Sequence, residues 1–179
     1  MEPQGVLHFW FEEATPEQHF KEDAGFDAAI RARFADTHAA ATRGELAAWR
    51  DAPGGRLAEI IVLDQFSRNL FRDDVRAFAS DGIALVLAQE AVRAGIDGDM
   101  SATHRAFVYM PFMHSESRVI HTEAERLFRQ PGLENNYRFE LKHKAIIDRF
   151  GRYPHRNRVL GRASTPAELA FLEQPDSSF

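Results

Sequence analysis

The sequence predicts an all-α protein of eight or nine helices in a single domain, residues 1–179. Apolar residues recur every three or four positions along most of the chain, which is the period of a helix that is buried on one face. Two capping boxes, Thr15–Gln18 and Thr165–Glu168, mark helix starts, each with proline at the first helical position. The apolar run Val6–Phe11 has no partner strand later in the chain, so we interpret it as a helical turn or a packed N-terminal arm.

The next two helices along the chain are each predicted to end at a glycine. The first capping box begins a short helix that ends near Gly25. Phe26, Ile30 and Phe34 recur every four residues and indicate an amphipathic helix that stops at Gly44.

The next long helix is predicted from about Leu57 to Phe71. A brief helix at 45–50 precedes it, and the sequence Pro53–Gly55 is expected to break the chain between the two. Ile60–Leu63 is apolar on every side, which is typical of a helix that other helices surround.

The second half of the chain is predicted to be helical with short interruptions. Pro111 and Pro131 are expected to interrupt it, Gly95 and Gly151 to end helices, and Ser115 to cap one. Links this short favour antiparallel neighbours, and therefore helical hairpins. The predicted helices span about 77–94, 101–110, 115–129, 133–150 and 165–173.

Composition excludes several classes of protein. Hydrophobic residues make up 44% of the chain, which excludes disorder, and 15 phenylalanines predict a large aromatic core. The absence of cysteine excludes disulfides, thiolate metal sites and cysteine nucleophiles. The sequence has no nucleophile elbow, phosphate-binding loop or dinucleotide fingerprint. A net charge of −5 argues against a general nucleic-acid binder.

The sequence gives no sign of a membrane or secretory segment. No apolar run approaches the length that spans a bilayer. An acid rather than a basic segment precedes the apolar N-terminal stretch, unlike in a signal peptide. We therefore expect a cytoplasmic protein with no membrane partner.

A first polar set, Asp64, Gln65, Arg68, Asn69 and Arg72, follows the apolar part of the long helix. Asp64 and Arg68 are four residues apart and lie on one helix face, as do Gln65 and Asn69. Arg68 and Arg72 repel each other at the same spacing unless an anion lies between them. Two interpretations stay open: an ion-pair network that joins helices, or a set of donors for a carboxylate or phosphate.

Basic residues gather again between His143 and Arg158, where a helix gives way to a turn. Arg149, Arg152 and Arg156 are three and then four residues apart, with a glycine and a proline among them. One continuous helix is therefore excluded, and the guanidiniums can converge on an anion. The alternative is a helix C-terminus that carries cations because the helix dipole favours them.

His114, Glu116 and His121 form the third candidate group. Their spacing is poor for metal binding, because ligands on one helix face are three or four residues apart. A His–Glu pair that polarises a substrate or a water is the better functional hypothesis, and a structural histidine is the plainer one.

Three long segments resemble a known family: LDQFSRNLFR (Leu63–Arg72), YMPFMHSES (Tyr109–Ser117) and HKAIIDRFGRYPHRNRVLGRASTPAELAFL (His143–Leu172). Together with VLHFWF and AFASDGIAL, they are similar to the bacterial family catalogued as domain of unknown function 924, over nearly the whole chain. The resemblance implies a tetratricopeptide-like all-α fold and brings no biochemical activity with it.

The family signature also marks candidate positions. The family more often has an acidic residue and then a glutamine after His-Ser-Glu, where this chain has Ser117 and, further on, His121. The marked positions are Asp64, Gln65, Arg68, Asn69, Arg72, His114, Glu116, His143, Arg149, Arg152, His155, Arg156 and Asn157.

We therefore expect a pocket between helices in which arginines bind a small anionic molecule, a phosphate or a carboxylate. His114, Glu116 and His143 are the candidate acids or bases, and whether any catalysis occurs stays open. The alternative is a module whose groove binds a peptide or protein, with the polar sets bracing the fold. Neither a metal nor another cofactor is expected, and nucleic acid is not an expected partner. The predicted ligand-binding residues are Asp64, Gln65, Arg68, Asn69, Arg72, Arg149, Arg152, His155, Arg156 and Asn157.

Overall fold

The structure, a computed structural model, describes residues 2–175 and 177. Every regular element of these residues is helical, and they contain no strand, so the predicted all-α class is confirmed. The α-helices are α1 (Pro3–His8), α2 (Pro16–Phe20), α3 (Ala24–Thr42), α4 (Pro53–Ile61), α5 (Ser67–Leu70), α6 (Asp81–Arg93), α7 (Ala102–Met113), α8 (Arg118–Phe128), α9 (Glu134–Phe150) and α10 (Pro166–Leu172). The π-helical segments are Phe9–Glu13 and Val62–Phe66, and the 3-10 segments are Ala47–Asp51, Val75–Ala77, Ile96–Asp99 and Pro154–Arg156.

The central helix, residues 53–70, consists of α4, the π-helical segment Val62–Phe66 and α5 in unbroken succession. α4 packs against α1, α6 and α7. The apolar run Ile60–Leu63 is completely buried, which confirms that other helices surround it. Asp64 and Gln65, the polar residues that follow this run, are buried as well, so the central helix places them inside the protein.

Aromatic rings fill the space between the N-terminal helices and the central helix. Phe9 stacks on Phe26 with ring centroids 5.3 Å apart and lies 5.0 Å from Phe34. Phe34 in turn lies 4.9 Å from Phe66 of the central helix. Such pairs add about 0.5–1.5 kcal/mol each beyond the burial of their area. The predicted aromatic core is confirmed.

The brief helix predicted at 45–50 is the 3-10 segment Ala47–Asp51, and it ends before Pro53 as expected, but the next helix starts at Pro53 instead of near Leu57, so that Pro53–Gly55 form the first turn of α4. Proline fits the first helical position, where its missing N–H costs no hydrogen bond. Gly55 fits because the chain before the helix passes very close to it: a Cβ at this position would lie 1.9 Å from the carbonyl oxygen of Trp49. Glycine here allows a close approach of two backbone segments.

The other helices of the second half also differ from their predicted bounds. The helix predicted from 77 begins at Asp81, because Asp74 accepts a bond from the Arg76 amide and caps a separate 3-10 turn. α7 continues through Pro111 to Met113. A proline in the last turn removes a single backbone bond, and Pro111 is buried, so packing offsets this loss.

Ser115 does not cap a helix. α8 begins at Arg118 after Ser117, and residues 114–117 form a loop between α7 and α8. The Ser115 carbonyl accepts a bond from the buried His121 ring, and Glu116 bonds to the C-terminal part of the chain. These contacts hold Ser115 and Glu116 in the loop, outside α8.

Several predicted ends are confirmed. Thr15 and Thr165 each form both bonds of a capping box, and Gly151 ends α9 with a φ of 72°. α6 packs against α7, α7 against α8 and α8 against α9, as in helical hairpins. A tetratricopeptide-like order of these hairpins stays a prediction. Among the helices of the described residues, none combines the length and the apolar character needed to cross a bilayer.

Candidate functional site

A pocket of about 340 Å³ opens between the start of α6, the end of α7 and the segment Pro154–Arg156, and we call it the α6–α7 pocket. One part of its wall is polar and the rest is apolar, so it suits a small molecule with both characters. The polar lining residues are Asp81, His114, Ser115, Glu116 and Arg156. The others are Val75, Phe78, Ala79, Gly82, Leu85, Pro111 and Leu160.

His114, at the end of α7, is oriented by Asp64 of the central helix. The Asp64 side chain is 1% exposed, and its Oδ1 lies 2.7 Å from His114 Nδ1. Burial alone would raise the pKa of Asp64, but His114 and Arg68 beside it hold that pKa below its usual value. An ionised carboxylate only accepts hydrogen bonds, so Nδ1 of His114 carries the proton.

The surroundings of His114 favour its neutral form on balance. Burial, followed by the positive charge of Arg68, lowers the pKa of His114, while the carboxylates of Asp64 and Asp81 act in the opposite direction and raise it. With the proton on Nδ1, Nε2 has a free lone pair and is an acceptor. Nε2 makes no hydrogen bond within the described residues, and the ring lines the pocket. His114 therefore offers the pocket a neutral hydrogen-bond acceptor.

Arg68 joins the central helix to α6. Its Nη1 donates to the backbone carbonyl of Asp64 at 2.7 Å and lies 3.2 Å from the Asp64 carboxylate. Its two terminal nitrogens also reach both oxygens of Asp81, at 3.1 and 3.2 Å. Arg68 is thus occupied by two carboxylates behind the pocket wall.

Arg156 lies in the pocket wall itself with most of its donors unused. Its side chain is 7% exposed, and its Nη1 donates to Asp81 Oδ2 at 3.1 Å. Its guanidinium carbon lies 4.5 Å from the ring centroid of Phe78 and 4.6 Å from that of Tyr153. The buried Nε has no partner, and Nη2 makes no hydrogen bond within the described residues. Burial, followed by the charge of Arg68, lowers the pKa of Arg156.

Glu116 ties residues 153–162, which we call the C-terminal segment, to the loop between α7 and α8. Arg162 donates to both of its oxygens, at 2.6 and 2.9 Å, and the amide of Tyr153 donates at 2.7 Å. Burial alone would raise the pKa of Glu116, but the bond from Arg162 holds it below its usual value. Glu116 is therefore an ionised acceptor with both oxygens occupied, an arrangement typical of a brace.

Behind the loop lies a buried pair of His121 and Glu140. His121 Nδ1 is 2.7 Å from Glu140 Oε1, and its Nε2 is 2.8 Å from the Ser115 carbonyl oxygen. Burial raises the pKa of Glu140. His121 thus turns away from Glu116. Among the residues that the structure describes, no three His, Asp or Glu side chains are arranged to hold a metal ion.

Part of the first predicted set lies on another side of the central helix. The Asn69 amide donates to Asp27 Oδ1 of α3 at 2.8 Å. Arg72 binds the same carboxylate through Nη2 at 2.9 Å and through Nε. Asn69 and Arg72 do not line the α6–α7 pocket.

The three arginines of the basic set also lie at different places in the structure. Arg152 binds Glu168 of α10 through two bonds, at 2.6 and 2.8 Å. The guanidinium carbon of Arg149 lies 4.6 Å from the Phe150 ring centroid, in a second pocket at the C-terminal end of α9. Neither arginine lines the α6–α7 pocket. Of the three arginines, the pocket contains Arg156.

The remaining predicted residues are not part of the lining of the α6–α7 pocket. Gln65 donates to Asp64 Oδ2 at 2.5 Å, and Asn157 connects Arg162 to Ser164. His143 and His155 pack beside the Tyr153 ring. Burial lowers the pKa of His143 to about 3 and that of His155 to about 4, so both are neutral at physiological pH.

Three contributors were missed from the sequence: Asp81, Phe78 and Arg162. Asp81 lies in the AFASDGIAL segment, where an acid followed by glycine marks a helix start rather than a site. The available signal was charge balance, because two arginines that approach each other inside a protein need a carboxylate between them.

Comparison with known proteins gives a family and a fold. Residues 6–176 match the model of a bacterial family of proteins of unknown function, DUF924. A solved structure of a protein of unknown function from Agrobacterium tumefaciens is 38% identical, with a TM-score of 0.91 over 96% of each chain. A search of curated proteins gave no match. The chain therefore belongs to the DUF924 family.

Proposed function

We propose that the α6–α7 pocket binds a small molecule that carries a carboxylate and an apolar group. The observation that carries the proposal is Arg156, whose guanidinium has five N–H donors and uses one of them, for Asp81. A carboxylate accepts two parallel bonds from such a fork, which is the strongest common way to bind it. Leaving these donors unsatisfied in a buried wall is costly, and a bound anion removes that cost.

Charge favours a monoanion over a phosphate. Asp81 and Glu116 both line the pocket and repel a second negative charge on the ligand. Arg68 is already bound to Asp64 and Asp81, so a single guanidinium is open to the ligand. A carboxylate needs one fork, whereas phosphate sites commonly use several donors.

The remaining wall favours an apolar body. Phe78, Leu85 and Leu160 lie in the same pocket as Arg156. A volume of about 340 Å³ is at the small end of the range for ligand pockets. Together these features support a metabolite-sized carboxylic acid with an aliphatic or aromatic group.

The proposal is tested by calorimetric titration and thermal melting of the whole protein with 3-phenylpropionate, benzoate and inorganic phosphate. We expect the carboxylates to bind saturably and to stabilise the protein by about 2.7 kcal/mol at a hundredfold excess over Kd. Inorganic phosphate should show no saturable binding and should change the melting temperature no more than another salt does. Arg156→Lys should weaken carboxylate binding at least about tenfold, because Lys keeps the charge and loses the fork.

Arg149→Ala is the matched control, since it removes an arginine outside this pocket and should leave the affinity unchanged. Absence of binding by every carboxylate would contradict the proposal and leave the interaction module as the remaining hypothesis. Loss of binding in Arg149→Ala, with Arg156→Lys unaffected, would move the site to the second pocket.

A further inference from the structure

We infer that the ligand of the α6–α7 pocket is a hydroxy acid, whose carboxylate binds Arg156 and whose hydroxyl donates to Nε2 of His114. This inference rests on the proposed function and narrows the class of ligand. It starts from the polar groups of the pocket that have no bond of their own, on Arg156 and on His114. The Arg156 guanidinium is a donor, and Nε2 of His114 is an acceptor.

The acceptor character of His114 is fixed by its neighbours on all sides. Asp64 holds the proton on Nδ1 from the central helix, at 2.7 Å. Arg68, on the same helix as Asp64, lies next to that carboxylate. Asp81 of α6 and Arg156 of the C-terminal segment line the pocket. The His143 ring lies near on α9. Burial and the charge of Arg68 oppose a second proton on the His114 ring more than Asp64 and Asp81 favour it, so Nε2 accepts rather than donates.

A ligand with no donor would leave this nitrogen unsatisfied when it closes the pocket. A buried acceptor that loses water without gaining a partner weakens binding. A carboxylic acid without a hydroxyl group therefore binds Arg156 and leaves Nε2 of His114 without a donor. A hydroxyl group on the same molecule supplies the missing donor.

Counting acceptors favours a hydroxyl over an ammonium group. An ammonium carries three N–H donors and needs about three acceptors. Each oxygen of Glu116 already accepts a bond from Arg162 or Tyr153, and each oxygen of Asp81 accepts a bond from an arginine, so an ammonium would have to share these carboxylates with groups that already bind them. Among the described residues of the polar lining, His114 Nε2 and the Ser115 hydroxyl are the acceptors that make no such bond. A hydroxyl donates one hydrogen, which matches the one open nitrogen.

The arrangement also predicts that the pocket distinguishes between the two enantiomers of a chiral ligand. Arg156, His114 and the apolar wall around Phe78 are three different contacts at fixed places in one pocket. A carbon that bears the hydroxyl, the apolar group and the path to the carboxylate can satisfy all three in one of its two configurations. One enantiomer of a hydroxy acid should therefore bind more tightly than the other.

The test compares four molecules of similar shape by calorimetric titration: 3-phenylpropionate, the two enantiomers of 3-phenyllactate, and phenylalanine. We expect one enantiomer of 3-phenyllactate to bind about tenfold more tightly than 3-phenylpropionate, the effect of one hydrogen bond. Phenylalanine should bind more weakly than that enantiomer. In His114→Phe the preference for the hydroxyl should vanish, and in Arg149→Ala, which changes a residue outside this pocket, it should remain.

A second measurement serves if His114→Phe does not fold. The ¹⁵N resonance of His114 Nε2 in the wild-type protein should shift when 3-phenyllactate binds and stay in place with 3-phenylpropionate. Equal affinities for the two acids, or an unmoved Nε2 resonance, would overturn the inference while the proposed function stands. Tighter binding of phenylalanine would also overturn it. If none of the molecules binds, the proposed function fails, and the inference fails with it.

Discussion

Arg68 and Arg156 come from distant parts of the chain and donate to the same carboxylate, that of Asp81. Arg68 reaches both oxygens, at 3.1 and 3.2 Å, and Arg156 reaches Oδ2 at 3.1 Å. Asp81 is therefore the group that lets two guanidiniums approach each other in a mostly buried place. It connects the central helix, α6 and the C-terminal segment at a single point.

Replacing Asp81 with asparagine should destabilise the protein by about 2–3 kcal/mol. The amide removes the charge that compensates the two arginines, and breaking a buried ion pair on one side costs several kcal/mol. The side chain of Asp81 is 19% exposed, so we expect a value at the lower end of that range. The measurement is the free energy of unfolding from urea denaturation of Asp81→Asn.

Asp73→Asn is the matched control for this change. Asp73 also binds an arginine, Arg158, but both side chains are more than three-quarters exposed. An exposed ion pair contributes about 0–1 kcal/mol, so the control should change the free energy of unfolding little. Equal losses in the two variants would show that Asp81 has no special part in holding the arginines.

Arg152→Ala should lower stability and leave ligand binding unchanged. Arg152 binds both oxygens of Glu168, and Glu168 also accepts the Thr165 amide at the start of α10. The bonds from Arg152 lower the pKa of Glu168 to about 2. Without them the start of α10 loosens, and we expect the free energy of unfolding to fall.

The measurements for Arg152→Ala are urea denaturation and titration with 3-phenylpropionate. The affinity should stay within about twofold of the wild type, because Arg152 does not line the α6–α7 pocket. A loss of affinity as large as that of Arg156→Lys would instead join Arg152 to the site, as the sequence-based hypothesis had it.

Local spacing was enough to predict much of the fold. The capping boxes, the glycine at the end of α9 and the buried run Ile60–Leu63 all depend on residues close together in the chain. The pairing of Asp64 with Arg68 also follows from a spacing of four residues, and the structure gives 3.2 Å between the groups.

The composition of the site depends on contacts between residues far apart in the chain, and local spacing does not predict such contacts. Arg149, Arg152 and Arg156 look alike in the sequence, because each is a cation near the end of a helix. What distinguishes Arg156 is the pair of rings beside it, from Phe78 and Tyr153. Arg152 is instead taken up by an acid sixteen residues further on. Distant partners decide these outcomes, and a single sequence does not reveal them.

Acid should destabilise the folded protein well before its carboxylates are protonated. Burial lowers the pKa of His143 to about 3 from an ordinary 6.5. Below pH 6.5 the unfolded chain therefore binds a proton that the folded chain does not. The free energy of unfolding should fall as pH drops from 6.5, by up to about 1.4 kcal/mol per pH unit for this residue.

The prediction is checked by urea denaturation at several pH values between 6.5 and 4.5. His143→Gln cannot take up the proton, so its stability should fall less steeply with decreasing pH. His155→Gln is the companion variant and should reduce the slope as well, since burial lowers the pKa of His155 to about 4. An unchanged slope in both variants would mean that neither histidine is buried in the neutral form.

Adding one methyl group should have opposite effects at two glycines of the helices. In Gly55→Ala the new Cβ would lie 1.9 Å from the Trp49 carbonyl oxygen, a backbone atom that moves only with its whole segment. We expect a loss of about 3 kcal/mol or more, or failure to fold, because overpacking against backbone is not relieved by a side-chain rotation. In Gly82→Ala, in the first turn of α6, the Cβ has no atom within 4 Å. Alanine should there stabilise the protein by up to about 0.5 kcal/mol, since it restricts the unfolded chain and favours the helix. Urea denaturation of the two variants decides the matter: a tolerated Gly55→Ala would mean that the segment carrying Trp49 does not pack against α4 as closely as the structure has it.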